Sequence, residues 1–159
     1  MALENFIPRS YDPARAVLTL GGVLPYGYAP DTMITIAKSE HMTTPQQGIL
    51  GSVVLSKTHN TLGTLTISLQ QVSPFNQVLS GFNYTNKTIN EAYSGFFPVG
   101  FYDPNSGLGL ACSGWIQTQP DYANAQESGT LEWVIGLHDA TLFPTAAPTS
   151  PPILASTVV

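Results

Sequence analysis

Thr64-Leu65-Thr66-Ile67-Ser68-Leu69-Gln70-Gln71 is the stretch that decides the fold class. Leu65, Ile67 and Leu69 fall on one parity, and Thr64, Thr66, Ser68 and Gln70 on the other. That two-residue period belongs to a strand with one face in a core, since a helix would need apolar residues three and four apart. The remaining face is small, polar and uncharged. A second run uses the same device: Leu131, Trp133, Ile135 and Leu137 share one parity, with Glu132, Val134, Gly136 and His138 on the other. Successive side chains of a strand point to opposite faces, so Leu65, Ile67, Leu69, Trp133 and Ile135 are the expected core.

Working outward, residues 33–38, 52–57, 96–102 and 108–117 are rich in β-branched and aromatic side chains and are bounded by Gly, Pro or Asn. These are further predicted strands. Tyr102-Asp103-Pro104-Asn105-Ser106-Gly107 predicts a hairpin loop, because Pro presets the turn dihedral while Asn and Gly tolerate positive φ. One helix is predicted, with Ser73 as N-cap, Pro74 at the first helical position, Phe75, Val78, Leu79 and Phe82 at helical spacing, and Gly81 near the stop. Too short to stand alone, it is expected to cover an open end of the sheets. The predicted fold is mainly β, a β-sandwich or small barrel with one short flanking helix and a long inter-strand loop. That loop, residues 39–51, begins Ser39-Glu40-His41-Met42-Thr43-Thr44-Pro45-Gln46-Gln47, and polar connections of such length in a small domain are functional or mobile. The chain divides into an N-terminal arm over 1–10, a β domain over 11–143 and an extended Pro/Thr-rich tail over 144–159, whose four prolines accompany no charged side chain.

Composition narrows the function. At 159 residues the chain has the length of one domain with a proper core. Charged residues are 9% of it, against roughly 25% in an ordinary soluble domain, so the surface is dominated by uncharged polar groups suited to contact with other protein. Five Lys plus Arg stand against ten Asp plus Glu, and five dispersed cations cannot neutralise a phosphate backbone. The N-terminal MALENFIPRS has no apolar stretch of signal-peptide length, and no window approaches a membrane span. Synthesis in a reducing cytoplasm is expected. The single cysteine, Cys112, excludes an internal disulfide and is expected to be a small buried hydrophobe. Asn83-Tyr84-Thr85 and Asn86-Lys87-Thr88 match the glycosylation pattern but are expected to be chance occurrences in a polar loop.

Catalytic constellations do not emerge. His41, His59 and His138 lack zinc-site spacing, and Asp103-x-Asn105-x-Gly107 opens like a calcium loop without the bidentate Glu that should follow, so it is expected to be a turn. There is no G-x-S-x-G, and Cys112, Ser113 and His138 have no recognisable acid partner. Glu127 and Glu132 are too unspecific a carboxylate pair to carry a mechanism. The aromatics Phe96, Phe97, Phe101 and Tyr102 have no basic neighbours and suit a core or a subunit interface better than base stacking. No enzyme, no metal and no cofactor are predicted.

Several segments together resemble the tail-tube proteins of contractile-tailed bacteriophages. They are Tyr11-Asp12-Pro13 through Val17-Leu18-Thr19-Leu20-Gly21-Gly22, then Gly27-Tyr28-Ala29-Pro30-Asp31-Thr32-Met33-Ile34-Thr35-Ile36, then Gly48 to Ser52 leading into 63–79, and Glu132-Trp133 in a late strand. The resemblance covers roughly residues 11–143, while the proline-rich tail departs from it. It implies hexameric rings, stacked into a hollow virion tail tube through which double-stranded DNA passes during ejection without specific binding. Tail sheath and baseplate proteins are the implied partners, and the bacterial host cytoplasm is the implied place of synthesis. On that basis residues 39–47 are expected to form an inter-ring loop, and Thr64, Thr66, Ser68, Gln70 and Glu132 a lumen-facing or inter-subunit face. The rival expectations are another virion part, such as a baseplate, decoration or tail-terminator protein, and, ranked lower, a carbohydrate-binding β-sandwich.

Overall fold

The structure, a computed structural model, describes residues 10–88 and 95–145. Most of the expected N-terminal arm and residues 146–159 of the expected tail lie outside the described residues. A 3-10 turn, Pro13–Arg15, leads into β1 (Val17–Leu20), followed by β2 (Ile34–Lys38), β3 (Thr43–Gln47), β4 (Val53–Lys57) and β5 (Gly63–Gln70). Helix α1 (Phe75–Thr88) separates these from β6 (Phe97–Asp103), β7 (Leu108–Thr118), β8 (Thr130–Leu137) and the short β9 (Phe143–Pro144).

The fold is mainly β, with two antiparallel sheets and a sandwich-like layout. The larger sheet runs β1-β6-β7-β8-β5-β2, with β9 added beside β7, and β3 and β4 form a separate pair. Register explains how the alternation seen in β5 organises the whole. Ile36 is opposite Leu65, Leu65 opposite Ile135 and Ile135 opposite Ile116, so four strands contribute one row of the core. Ile34, Ile67 and Trp133 make the next row. Leu18 and Leu20 of β1, at one edge of the sheet, belong to the same apolar cluster as Ile34 and Ile36 of β2 at the other edge. Distant edges can share one core only if the sheet curls over on itself.

Helix α1 closes the open end of this curl, burying Phe75 and Leu79 completely. Ser73 caps it as its spacing predicts: its hydroxyl accepts from the Phe75 N–H at 3.3 Å and donates to the Tyr26 carbonyl at 2.6 Å. Gly27, with φ +76°, lies so close to Ser73 that a Cβ there would collide with the hydroxyl, which explains why glycine stands at this approach. The turn predicted at 103–107 is present: Asp103 Oδ1 accepts from the Asn105 N–H at 2.9 Å, and the Gly107 N–H reaches the Asp103 carbonyl at 2.8 Å.

Four expectations need correction. The helix does not stop near Gly81 but continues to Thr88, because Phe82 beyond it stacks on Phe97 at 5.1 Å and Asn83 donates to Gln119 at 3.0 Å; tertiary contacts override the local breaker. The two glycosylation-like triplets therefore lie on a helix and not in a polar loop. The stretch expected as a loop over 39–51 contains a strand, β3, which its uniformly polar sequence conceals. Pro144, placed at the start of the tail, is instead paired with Leu108 in β9.

Candidate assembly surfaces

The β3–β4 hairpin stands apart from the core. Thr43 is opposite Lys57 and Gln47 opposite Val53, and the turn is closed by the Gly48 N–H on the Ser52 carbonyl at 2.7 Å and the Gly51 N–H on the Gly48 carbonyl at 2.9 Å. Gly51, with φ +86°, supplies the left-handed residue of that turn. Every residue of both strands is exposed. At the tip Ile49 and Leu50 are essentially fully solvated, at 104% and 97%, and Val53, Val54 and Leu55 are each about 60% exposed. A lone two-stranded ribbon is marginal in water, and a continuous apolar tip is the mark of a surface that another protein covers. Thus Thr43, Thr44, Pro45, Gln46 and Gln47 form β3, while Ser39, Glu40, His41 and Met42 lead into it. Sequence reasoning missed Ile49 and Leu50, although the flanking Gly48 and Gly51 signal a turn that would present them.

The second surface is the outward face of the large sheet. Opposed residues in an antiparallel pair project to the same side, so the register carries Thr35 to Thr66, Thr66 to Val134, Thr64 to Gly136 and Gly136 to Trp115. It continues through Ser113 to Pro98, Ala111 to Gly100 and Gly100 to Thr19. Thr64, Thr66, Ser68, Gln70 and Glu132 all lie on this face, with Ser68 directly opposite Glu132. Glu132 and Gln70 are exposed, Thr64 and Thr66 are intermediate, and Ser68 is buried, with 9% of its surface exposed. Among the described residues in this register, Glu132 is the one ionised side chain on the face. Trp115 lies over Gly136, where a Cβ would strike its indole, and meets Phe96 edge-on at 5.6 Å. The core residues Leu65, Ile67, Leu69 and Ile135 have no exposure, and Trp133 has 3%.

Among the described residues, titratable groups do not converge on a reactive centre. Burial pushes the Cys112 thiol up, the opposite of what a nucleophile needs. Hydrogen bonds from Thr141 hold the Asp139 carboxyl below its usual range. The Asp103 carboxylate is engaged by Asn105 and Ser106 within its own turn. No group of three His, Cys, Asp or Glu among the described residues could hold a metal ion. No helix among them is long and apolar enough to cross a membrane.

With these surfaces defined, comparison supplies the family. The profile of the Bacteriophage PhiTE tail tube protein family matches residues 18–142, from β1 to just before β9 and including both surfaces. The chain belongs to this phage tail tube family. It is accordingly a structural protein of a phage tail. Solved structures with a similar fold include the anti-feeding prophage cap, a tube-terminating cap, at 15% identity and TM-score 0.56, covering 91% of this chain and 99% of that one. The sheath/tube terminator of an extracellular contractile injection system, PVC, in its extended state is also similar, at 9% identity and TM-score 0.53, covering 88% and 99%. At these identities the likeness is one of fold. No curated protein matches the chain in sequence.

Proposed function

We propose that this tail tube family member is the repeating subunit of the tube, assembling as rings, six to a ring, that stack into a conduit for double-stranded DNA. The observation that carries the proposal is the β3–β4 hairpin, an exposed ribbon with a solvated apolar tip and no core of its own. A tube subunit has a use for such an element, as the arm over Ser39 to Gln47 and its tip that grips the adjacent ring. The outward sheet face, nearly charge-free, supports the same reading: it suits either close apposition to a neighbour or a passive lumen wall, with Thr64, Thr66, Ser68, Gln70 and Glu132 on that wall. The chemistry is mechanical and calls for no cofactor. Tail sheath and baseplate proteins are the partners such a tube requires, and double-stranded DNA passes without being held. Electron microscopy of the purified protein tests this: long hollow filaments support the tube subunit.

The second reading is a tail terminator, favoured by the fold likeness to two terminator proteins. A terminator ends a tube and does not extend it. Single rings that never stack, at any protein concentration, would replace the first reading with this one.

A further inference from the structure

We infer that the groove beside α1 receives the segment 146–159 of a neighbouring copy. The inference rests on the proposed stack of subunits and names a contact that would join one copy to the next. The groove has a volume of about 740 Å³. Leu131 and Trp133 of β8 form its floor, the first turns of α1 one wall, and Pro120 and Tyr122 after β7 the other. None of its lining residues carries a charge. Its polar floor is already satisfied, since the Trp133 indole N–H donates to Asn76 Oδ1 at 3.1 Å and Asn76 Nδ2 donates to the Gln70 carbonyl at 2.9 Å. Val72 and Tyr122 on the rim are 73% and 70% exposed. What remains is a neutral, aromatic-edged trough, which offers an anion or a cation nothing.

The segment after Thr145 is AAPTSPPILASTVV, with no charged residue and with Pro148, Pro151 and Pro152 in its first half. Proline-rich segments favour the polyproline II conformation, which has no internal hydrogen bonds and docks on aromatic-lined grooves at low entropic cost. The match is one of neutral with neutral and of proline with aromatic.

Geometry selects which copy supplies the segment. The described chain leaves at Thr145, whose N–H is bound to the Gly107 carbonyl at 2.8 Å, beside the start of β7. The groove begins past the other end of β7, at Gln119. The eleven residues of β7 separate these points by about 33 Å at a strand's rise per residue. Fourteen residues in polyproline II reach about 43 Å. To enter its own groove the segment would spend most of its length running back along the sheet, with about three residues left to fill it. In a stack where the end of one copy that bears Thr145 faces the α1 end of the next, the segment enters the neighbouring groove at once.

Disulfide trapping between full-length chains tests the inference. In a Cys112→Ser background, chains carrying Gln77→Cys at the groove are mixed with chains carrying Ile153→Cys in the segment, then mildly oxidised. A bridge between two chains, identified by mass spectrometry as joining positions 77 and 153, is expected at about tenfold the yield given by a Thr35→Cys chain on the outer sheet face, because docking raises the local thiol concentration. A chain with both substitutions that bridges only within itself overturns the inference, and so does a yield equal to the Thr35→Cys control. Microscopy of the same samples separates the two levels: filaments without the bridge defeat the docking but leave the tube subunit standing, whereas neither bridge nor assembly defeats both.

Discussion

Tyr28, half-buried and bridged through its backbone to Leu69, shows how one group sets a pH response. Burial pushes its phenol up to about 12 from the ordinary 10.0. The unfolded chain releases this proton near pH 10 while the folded chain holds it to about 12, so the group's stabilising contribution is intact below pH 10 and is lost as pH rises towards 12. Tyr28→Phe should therefore flatten part of the alkaline loss of stability, measured by urea unfolding between pH 10 and pH 12; an unchanged slope would assign that loss elsewhere. Ile67 has no exposure and sits between Ile34 and Trp133, so Ile67→Asp buries an unpaired charge. It should cost more than about 4 kcal/mol and abolish soluble folded protein. Thr35→Asp, on the exposed face of the edge strand β2, should leave folding intact by circular dichroism, and equal damage from both would mean the strand phase is reversed. Ser68 would be a poor control, because it is nearly buried and directly opposite Glu132, where a second carboxylate meets like charge. The faces of β5 and β8 were legible in the sequence because Leu65, Ile67 and Leu69, and Leu131, Trp133 and Ile135, each fall on one parity and that face is buried. The burial of Ser68 was not, because it depends on residues far away along the chain.

At the scale of elements, α1 was legible at its start and not at its end. Ser73 and Pro74 act locally, whereas the turn beyond Gly81 is held by Phe82 on Phe97, a contact invisible to any local pattern. The hairpin was hidden for a related reason: Thr43-Thr44-Pro45-Gln46-Gln47 has no alternation, since neither of its faces meets a core. Pro45 lacks an N–H and is tolerated because β3 pairs only with β4 and is an edge strand. These features predict that folding and assembly can be separated. Replacing Ile49 and Leu50 together by Ser removes two solvated side chains, so thermal stability should change by no more than about 0.5 kcal/mol. Filament formation should fail, as judged by sedimentation and negative-stain microscopy. Normal filaments from this variant would remove the tip from the ring contact.

For the whole molecule the decisive quantity is how strongly a long conduit holds what passes through it. A weak attraction repeated in every ring would sum to a trap, so a working tube needs no site that retains phosphate. The chain carries −5, and a ring of six copies would carry −30. Of the five cations, Arg15 is on the turn before β1, Lys57 is at the end of β4 on the hairpin, and Lys38 at the end of β2 is on the same parity as the core residues Ile34 and Ile36. None of these three is on the outward sheet face, where Glu132 is the single ionised group among the described residues. Retention of DNA needs several phosphates neutralised together, with affinity falling steeply as salt rises. The soluble subunit should therefore show no shift of double-stranded DNA in a gel at physiological salt, and tight, salt-sensitive binding would defeat the conduit reading. Glu132→Lys reverses one charge per subunit on that face without disturbing the core. If the face lines the lumen, phage carrying the change should eject their genome more slowly, and more so at low salt, where screening is weakest. If the face is instead packed between subunits, the same change should lower the yield of assembled tubes. Wild-type ejection together with wild-type assembly would remove Glu132 from both surfaces.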